Sequence, residues 1–241
     1  MPENLFISSV DQRIGALLEY NRIKLQKAGS QKHEKKQRTC ITISREFGCE
    51  GYPVAERLCD IMTCTSGEDW VLMDKALLEE VAHHNNISEE LLRGLGEKNQ
   101  ILNEILATFS PRWKSEKDYY RLLCRHIISL AEQGNVIIVG RGGAIVTRHL
   151  ENCHHFRLYA SLAFKTASIS SRLSISSEKA EKMIVKGQNQ RDRFTADFLD
   201  QDAHDVRFYD LLFNNDRNPP EKIAHTIAEY MSRSEQKSGR R

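Results

Sequence analysis

Cys40-Ile41-Thr42-Ile43-Ser44-Arg45-Glu46-Phe47-Gly48-Cys49-Glu50-Gly51-Tyr52-Pro53 runs from an apolar, β-branched segment through a glycine turn to a proline. Cys40–Ser44 reads as a short buried strand. Phe47 to Gly51 breaks it, and Pro53 suits the first turn of a helix, where its missing N–H is tolerated. Ala55, Leu58 and Met62 continue that helix at helical spacing. A glycine turn between a buried strand and a helix points backbone N–H groups outward, and the helix dipole adds to their pull on an anion.

The same alternation continues downstream. Trp70–Met73, Val136–Val139, Phe156–Ala160 and Asp210–Asn214 read as four more short strands. Three helical stretches are expected between the second and third strands. In the last of them Tyr119, Leu122, Leu123, His126, Ile127 and Leu130 share one face, and Gly134 ends it. A long polar helical region covers about 162–203, and Pro219-Pro220 opens a final helix with Ile223, Ile227 and Tyr230 close to one face. This pattern predicts an α/β fold with a parallel sheet covered on both faces. Ligands of such sheets bind beyond the carboxyl ends of the strands. Ser44 to Gly51, Asp74, Arg141 to Gly143 and Asn214 to Arg217 therefore become the candidate site.

The chain has 241 residues, one large domain or two small ones at roughly 100–200 residues per domain. Its net charge of +2 hides a strong asymmetry. Residues 22–38 carry +6 and residues 233–241 carry +3, while residues 1–21 carry −2 and the body, 39–232, carries −5. A body-wide nucleic-acid surface would need clustered positive charge, so none is expected there. No apolar run approaches the ~18 residues of a membrane span. Met1-Pro2-Glu3-Asn4 lacks a basic start followed by an apolar core, so no secretory leader is expected. Cysteines 40, 49, 59, 64, 124 and 153 show no paired spacing and read as reduced thiols of a cytoplasmic protein. Neither His83-His84 nor Cys153-His154-His155 has zinc-module spacing. Residues 1–38 are expected as an appendage, with a helix over about 11–27 and a basic linker. Residues 39–232 form the domain, and 233–241 a basic tail.

Against the standard phosphate loop, Gly-x-x-x-x-Gly-Lys-Ser/Thr, Gly51 takes the second glycine. Glu46 then stands at the first glycine, Tyr52 at the Lys and Pro53 at the hydroxyl. On the residues alone, the turn is either a phosphate cradle or an ordinary glycine turn.

The segment from Ile43 to Gly51 resembles the Ser-Arg-Glu-Phe-Gly-Ser-Gly-Gly segment of the cytidylate kinase-like family, P-loop proteins allied to nucleoside monophosphate kinases. Trp70-Val71-Leu72-Met73-Asp74-Lys75 is similar to that family's strand ending in Tyr-Asp-Lys. Val139-Gly140-Arg141-Gly142 is similar to its Gly-Arg-Gly turn, and Tyr209 to Arg217 resembles its Tyr-Asp-Leu-x-x-Asn-Thr-Asp-Arg ending. The match is collinear over about 39–232. The resemblance implies a five-stranded parallel P-loop sheet, a helical insertion for the monophosphate and a helical lid. It also implies ATP, Mg²⁺ and a small nucleotide acceptor. Members commonly lack the loop Lys. Where the family often carries Gly and Arg, this chain carries Glu50 and Tyr52. Where true cytidylate kinases carry Gly-Arg-Asp, Gly142 replaces the Asp, which loosens the implied selectivity for cytosine nucleotides.

Phosphoryl transfer needs a cradle, cations on the transferred group and Mg²⁺ near a carboxylate. Ser44, Glu46, Gly48, Gly51 and Tyr52 belong to the expected cradle. Arg45 either replaces the missing Lys or pairs with Glu46 or Glu50. Asp74 either holds Mg²⁺ and orients the acceptor or caps the helix after it. Glu46 could also approach the metal. Arg141 is a phosphate fork or a structural ion pair. Arg191 and Arg193 are lid arginines or a solvated helix face. Asn214 and Asp216 hold a purine ring or cap their own loop. The basic 22–38 segment is a solubilising linker or an anion dock. Two alternatives to a phosphotransferase stay open: a nucleotide-binding regulator without catalysis, and an anion- or RNA-binding adaptor acting through the basic ends.

Overall fold

The structure, a computed structural model, describes residues 38–77 and 116–238. The expected helix over 11–27, the basic 22–37 segment and the first helical stretches after Asp74 lie outside the described residues. So does the expected helical insertion for the monophosphate.

The described chain runs β1 (Cys40–Arg45), α1 (Gly51–Ser66), β2 (Val71–Met73), α2 (Glu116–Gln133), β3 (Val136–Val139), α3 (Gly143–Val146), β4 (Cys153–Tyr159), α4 (Leu162–Leu173), α5 (Ser177–Leu199), β5 (Leu211–Asn214) and α6 (Pro220–Ser238). The five strands form one sheet in the order β2-β3-β1-β4-β5, and every pairing is parallel. This meets the expectation of a five-stranded parallel sheet. The central strand β1 aligns Ile41 with Ile137 on one side and His154 on the other.

Each sheet face has its own core. Ile41, Ile43, Ile137, Val139, Phe156 and Leu158 pack against Val54, Ala55, Leu58 and Met62 of α1 and Ile223, Ala224, Ile227 and Met231 of α6. Cys40, Met73, Val136 and Ile138 pack against Tyr120, Leu123, Ile127 and Leu130 of α2 and, near the sheet's carboxyl end, Phe194, Phe198 and Leu199 of α5. Strands buried on both faces have no solvent side, which explains why they read as continuous apolar runs.

The structure refines several boundaries. The helical region expected over 162–203 is two helices. Ser174 ends α4 in the left-handed region at φ +52°, and the Ser176 side chain accepts from Lys179 N–H to cap α5. Serine competes for backbone bonds and so breaks and restarts helices. β4 begins at Cys153, three residues earlier than its apolar run suggests. His155 can enter the sheet because its Nδ1 lies 2.8 Å from Thr42 Oγ1 on the paired strand. The helix expected at Pro53 begins at Gly51, with Pro53 in its first turn. α6 continues past Arg233 to Ser238, so the boundary placed at 233 falls inside a helix. All six cysteines are free thiols. Among the described residues, no helix is long and apolar enough to cross a membrane.

Two buried histidines give the fold a pH signature. His126 in α2 is wholly buried, and its ring nitrogens make no hydrogen bond among the described residues. Burial, with Arg125 adding to it, lowers its pKa to about 4. Burial lowers His155 to about 4 as well, against the opposing pull of Asp210. The unfolded chain takes up these protons near pH 6.5 and the folded chain does not, so stability is intact above 6.5 and falls as pH drops toward 4. Each histidine should contribute a loss of about 3 kcal/mol by pH 4. Urea midpoints measured between pH 7 and 4 should fall, and His126→Phe should flatten the fall. An unchanged midpoint in the wild-type chain would contradict the assignment.

Candidate functional site

The turn between β1 and α1 is anchored from three directions. Glu46 N–H donates to Leu158 O of β4 at 3.1 Å. Phe47 N–H donates to Gln188 Oε1 of α5 at 2.8 Å, and Glu50 N–H donates to Asn215 Oδ1 beyond β5 at 2.9 Å. Gly48 turns the chain at φ +97°, a conformation that L side chains rarely adopt. Intrahelical bonding in α1 starts where Val54 N–H reaches Glu50 O at 3.2 Å. The N–H groups of Gly51 and Tyr52 precede that bond, at the end where a helix attracts anions. The Glu50 side chain makes no capping bond there.

Four cations gather at this turn and the turn after β3. The Arg45 side chain runs between the β1–α1 turn and the turn after β3: a Cβ on Gly51 would stand 3.0 Å from its Cγ, and one on Gly140 would stand 2.2 Å from its Nη1. Arg141 follows in that second turn at φ +51°, its guanidinium 4.7 Å above the Phe194 ring of α5. Burial, with the charge of Arg45 beside it, lowers the Arg141 pKa to about 10. Two guanidiniums that disfavour each other's charge are relieved by an anion placed near both. Arg191 of α5 lies 4.9 Å above the Phe47 ring and donates from Nη1 to Arg45 O at 3.2 Å. Lys165 of α4 reaches back to Glu46, Nζ to Oε2 at 2.8 Å.

Helix α5 thus lies across both turns. A Cβ on Gly187 would stand 2.3 Å from Phe47 Cδ2, and one on Gly142 would stand 2.4 Å from Leu199 Cδ1. Tyr120 OH donates to Arg141 O at 3.1 Å and stacks edge-on against Phe194. A hydrogen-bonded chain aims Gln188. Arg157 Nη2 lies 3.1 Å from His204 Nδ1, His204 Nε2 lies 3.2 Å from Asp192 Oδ1, and Gln188 Nε2 donates to the same oxygen at 2.7 Å. Arginine can only donate, so His204 Nδ1 accepts and Nε2 carries the proton toward Asp192.

The structure therefore brings Arg45, Glu46, Gly48, Gly51, Arg141 and Arg191 to one place. Ser44 sits in β1 beside Arg157, and Tyr52 in the first turn of α1. Arg193 is exposed and faces an open surface with Lys182 and Lys186, away from the turn. Asp74 is buried at the end of β2, with Oδ1 accepting from Leu77 N–H at 3.0 Å as a helix cap. Strand β3 stands between β2 and β1. Asn214 Oδ1 accepts from Asp216 N–H at 3.0 Å, and Asp216 accepts from both N–H and Oγ of Ser161. Those bonds from Ser161 hold the Asp216 carboxyl below the usual range. Tyr159, Asn214, Arg217 and Lys222 line an open pocket of about 480 Å³ beside them. Burial, ahead of Glu46, pushes the Cys49 thiol up to about 12, so it stays protonated in the turn. Lys165 and Gln188 escaped sequence reasoning, whereas Asn215 lies within the Asn214 to Arg217 stretch it placed at the site. Lys165 does follow the carboxyl end of β4, a signal that could have found it.

The contact at Gly187 makes the hold of α5 on the turn testable. Gly187→Ala forces α5 off Phe47, and Gln188→Ala removes the acceptor for Phe47 N–H. Hydrogen exchange at the Phe47 amide should quicken by roughly tenfold or more in both variants while the β1 and β3 amides stay protected. Unchanged exchange at Phe47 would show that α5 does not hold the turn.

Comparison with known proteins accords with this geometry. The structure is similar to that of an uncharacterised protein from Eubacterium ventriosum ATCC 27560, with 21% identity and a TM-score of 0.61 over 82% of this chain and 99% of that one. It also aligns with a shikimate kinase from Bacteroides thetaiotaomicron, at 14% identity and a TM-score of 0.45 over 80% of this chain and 98% of that one. No curated protein matches the chain. Residues 40–217, from the first residue of β1 through the loop after β5, match the cytidylate kinase-like family, and the chain belongs to that family.

Proposed function

We propose that the chain transfers the γ-phosphoryl group of ATP, with Mg²⁺, to a small acceptor such as a nucleoside monophosphate, for example CMP. The observation that carries this reading is the gathering of Arg45, Arg141, Arg191 and Lys165 across the β1–α1 turn and the turn after β3, in a body whose net charge is −5. Such a body attracts phosphates through placed cations and backbone N–H groups, not through a general field.

Roles follow from position. Arg45 spans the two turns and is the cation nearest a phosphoryl group leaving the α1 cradle. Arg141, stacked on Phe194, presents its fork to a phosphate of the acceptor. Arg191 adds charge from the lid, and α5 excludes water from the reacting atoms. The pocket at Tyr159, Asn214 and Arg217 is open enough for a nucleobase. A nucleotide-borne Mg²⁺ is held mainly by phosphates and water with one or two carboxylates. It therefore needs no larger ligand cluster, and none occurs among the described residues. Asp74, its carboxylate fixed by Leu77 N–H, suits that task. When bound, the ion offsets charge on the β- and γ-phosphates.

A second reading, a nucleotide-binding regulator without turnover, is favoured by specific features of the same turn. Tyr52 and Pro53 stand where a loop Lys and hydroxyl would act. Gln188 and Asn215 already occupy two loop N–H groups.

Thermal unfolding of the full chain with ATP, with and without Mg²⁺, followed by turnover across a panel of monophosphates, separates the readings. The phosphotransferase reading expects stabilisation by ATP–Mg²⁺ and turnover with at least one acceptor. Arg45→Ala should then lower kcat by roughly 100-fold or more while ATP affinity falls far less. Tight ATP binding without turnover on any acceptor would support the regulator. No stabilisation by any nucleotide would sink both.

A further inference from the structure

The turn holds more positive charge than its own residues supply. The Cys49 thiol, at its centre, feels Lys165, Arg191 and Arg157 as cations and Glu46 as an anion. Lys165, Arg191 and Arg157 are thus brought to the turn by other elements of the fold. Among these cations Lys165 is the one tied to the loop's own carboxylate. Its Nζ sits 2.8 Å from Glu46 Oε2, with side-chain exposures of 15% and 20% for Lys165 and Glu46. Its stem lies over the apex of the turn, where a Cβ on Gly48 would stand 2.8 Å from Lys165 Cβ and 3.1 Å from its Cγ. Its helix is fixed at the entry, because Ser161 caps α4 by accepting from Phe164 N–H and donates its own N–H to Asp216.

We propose that Lys165 is the phosphate-binding lysine of this site, supplied from α4 to a loop that has Tyr52 in the lysine position, and that Glu46 holds it ready until a polyphosphate takes it over. This rests on the nucleotide-binding reading and adds a residue to it.

The chemistry favours the exchange. An ammonium on a flexible stem is a point charge with three donors, well suited to move a short way between acceptors. A diphosphate offers it more negative charge than one carboxylate does, while Glu46 keeps the Ala160 N–H, 3.4 Å from its Oε2. A lysine held on a carboxylate is also kept from collapsing onto the loop carbonyls while the site is empty.

The competing view is that Lys165 and Glu46 only staple α4 to the turn. The two views differ in sign. If the pair is only a staple, breaking it from either side has the same effect on ligand binding. If Lys165 binds phosphate, the two sides act oppositely. ADP should be titrated calorimetrically in EDTA into full-length wild-type, Lys165→Met, Lys165→Arg and Glu46→Gln chains, with adenosine as the phosphate-free control. Lys165→Met should weaken ADP at least tenfold and leave adenosine unchanged. Lys165→Arg should recover most of the affinity. Glu46→Gln should tighten ADP several-fold, because the lysine no longer has to leave a carboxylate. Equal ADP affinity in wild type and Lys165→Met, or the same weakening in Lys165→Met and Glu46→Gln, overturns the proposal and leaves the nucleotide-binding reading standing. A wild-type chain that binds neither ADP nor adenosine overturns both. Should Lys165→Met fail to fold, Glu46→Gln decides the matter: tighter ADP binding supports the proposal, and equal or weaker binding overturns it.

Discussion

Everything at the carboxyl edge of the sheet depends on one reciprocal exchange of arginines and aromatic rings. Helix α5 lends Arg191 to the Phe47 ring of the first turn, and the turn after β3 lends Arg141 to the Phe194 ring of α5. Each stack contributes about 0.5–2 kcal/mol, more where water is excluded. Together they set α5 across both turns at once. The arrangement works only at close range, which Gly187 permits by leaving room for the Phe47 ring. Gln188, held by Asp192 and through it by His204 and Arg157, then closes the contact with the Phe47 N–H. The groups that hold α5 to the turns, Arg191, Arg141 and Gln188, are also groups of the candidate site. Packing and the candidate site therefore draw on one set of residues.

That economy bears on how an acidic body handles acidic ligands. The excess positive charge of the chain lies at residues 22–38 and 233–241, outside the sheet. Within the body, positive charge is concentrated where Arg45, Arg141, Arg191, Arg157 and Lys165 gather. Burial first, and then the charge of Arg45, lowers the Arg141 pKa. Within that gathering, Glu46 is the counter-ion of Lys165.

Much of the fold was legible in the sequence because its strands are buried on both faces and so stand out as apolar runs between helices. The rule that ligands meet such sheets beyond the strand ends selected Arg45, Glu46, Gly48, Gly51 and Arg141 correctly as neighbours. Asn215 was placed at the site, but the pairings that complete the turn were not legible, because they join positions far apart along the chain. Lys165 meets Glu46 across 119 positions, Gln188 meets Phe47 across 141, and Asn215 meets Glu50 across 165. Arg191 and Arg193 illustrate a different gap. Two residues apart on a helix do not share a face, so at most one could point at the turn, and only packing decides which. Tertiary contacts at Phe47 chose Arg191.

The central claim is that the β1–α1 and β3–α3 turns form one anion seat under α5. An NMR titration of the full chain with ADP tests it most directly, read at the backbone amides of Gly48, Gly51 and Gly140 and at the Arg141 side-chain Nε–H. The account predicts that these four signals shift together with a single saturating curve. Shifts confined to the basic residues of 22–38, or none at these four groups, would contradict it.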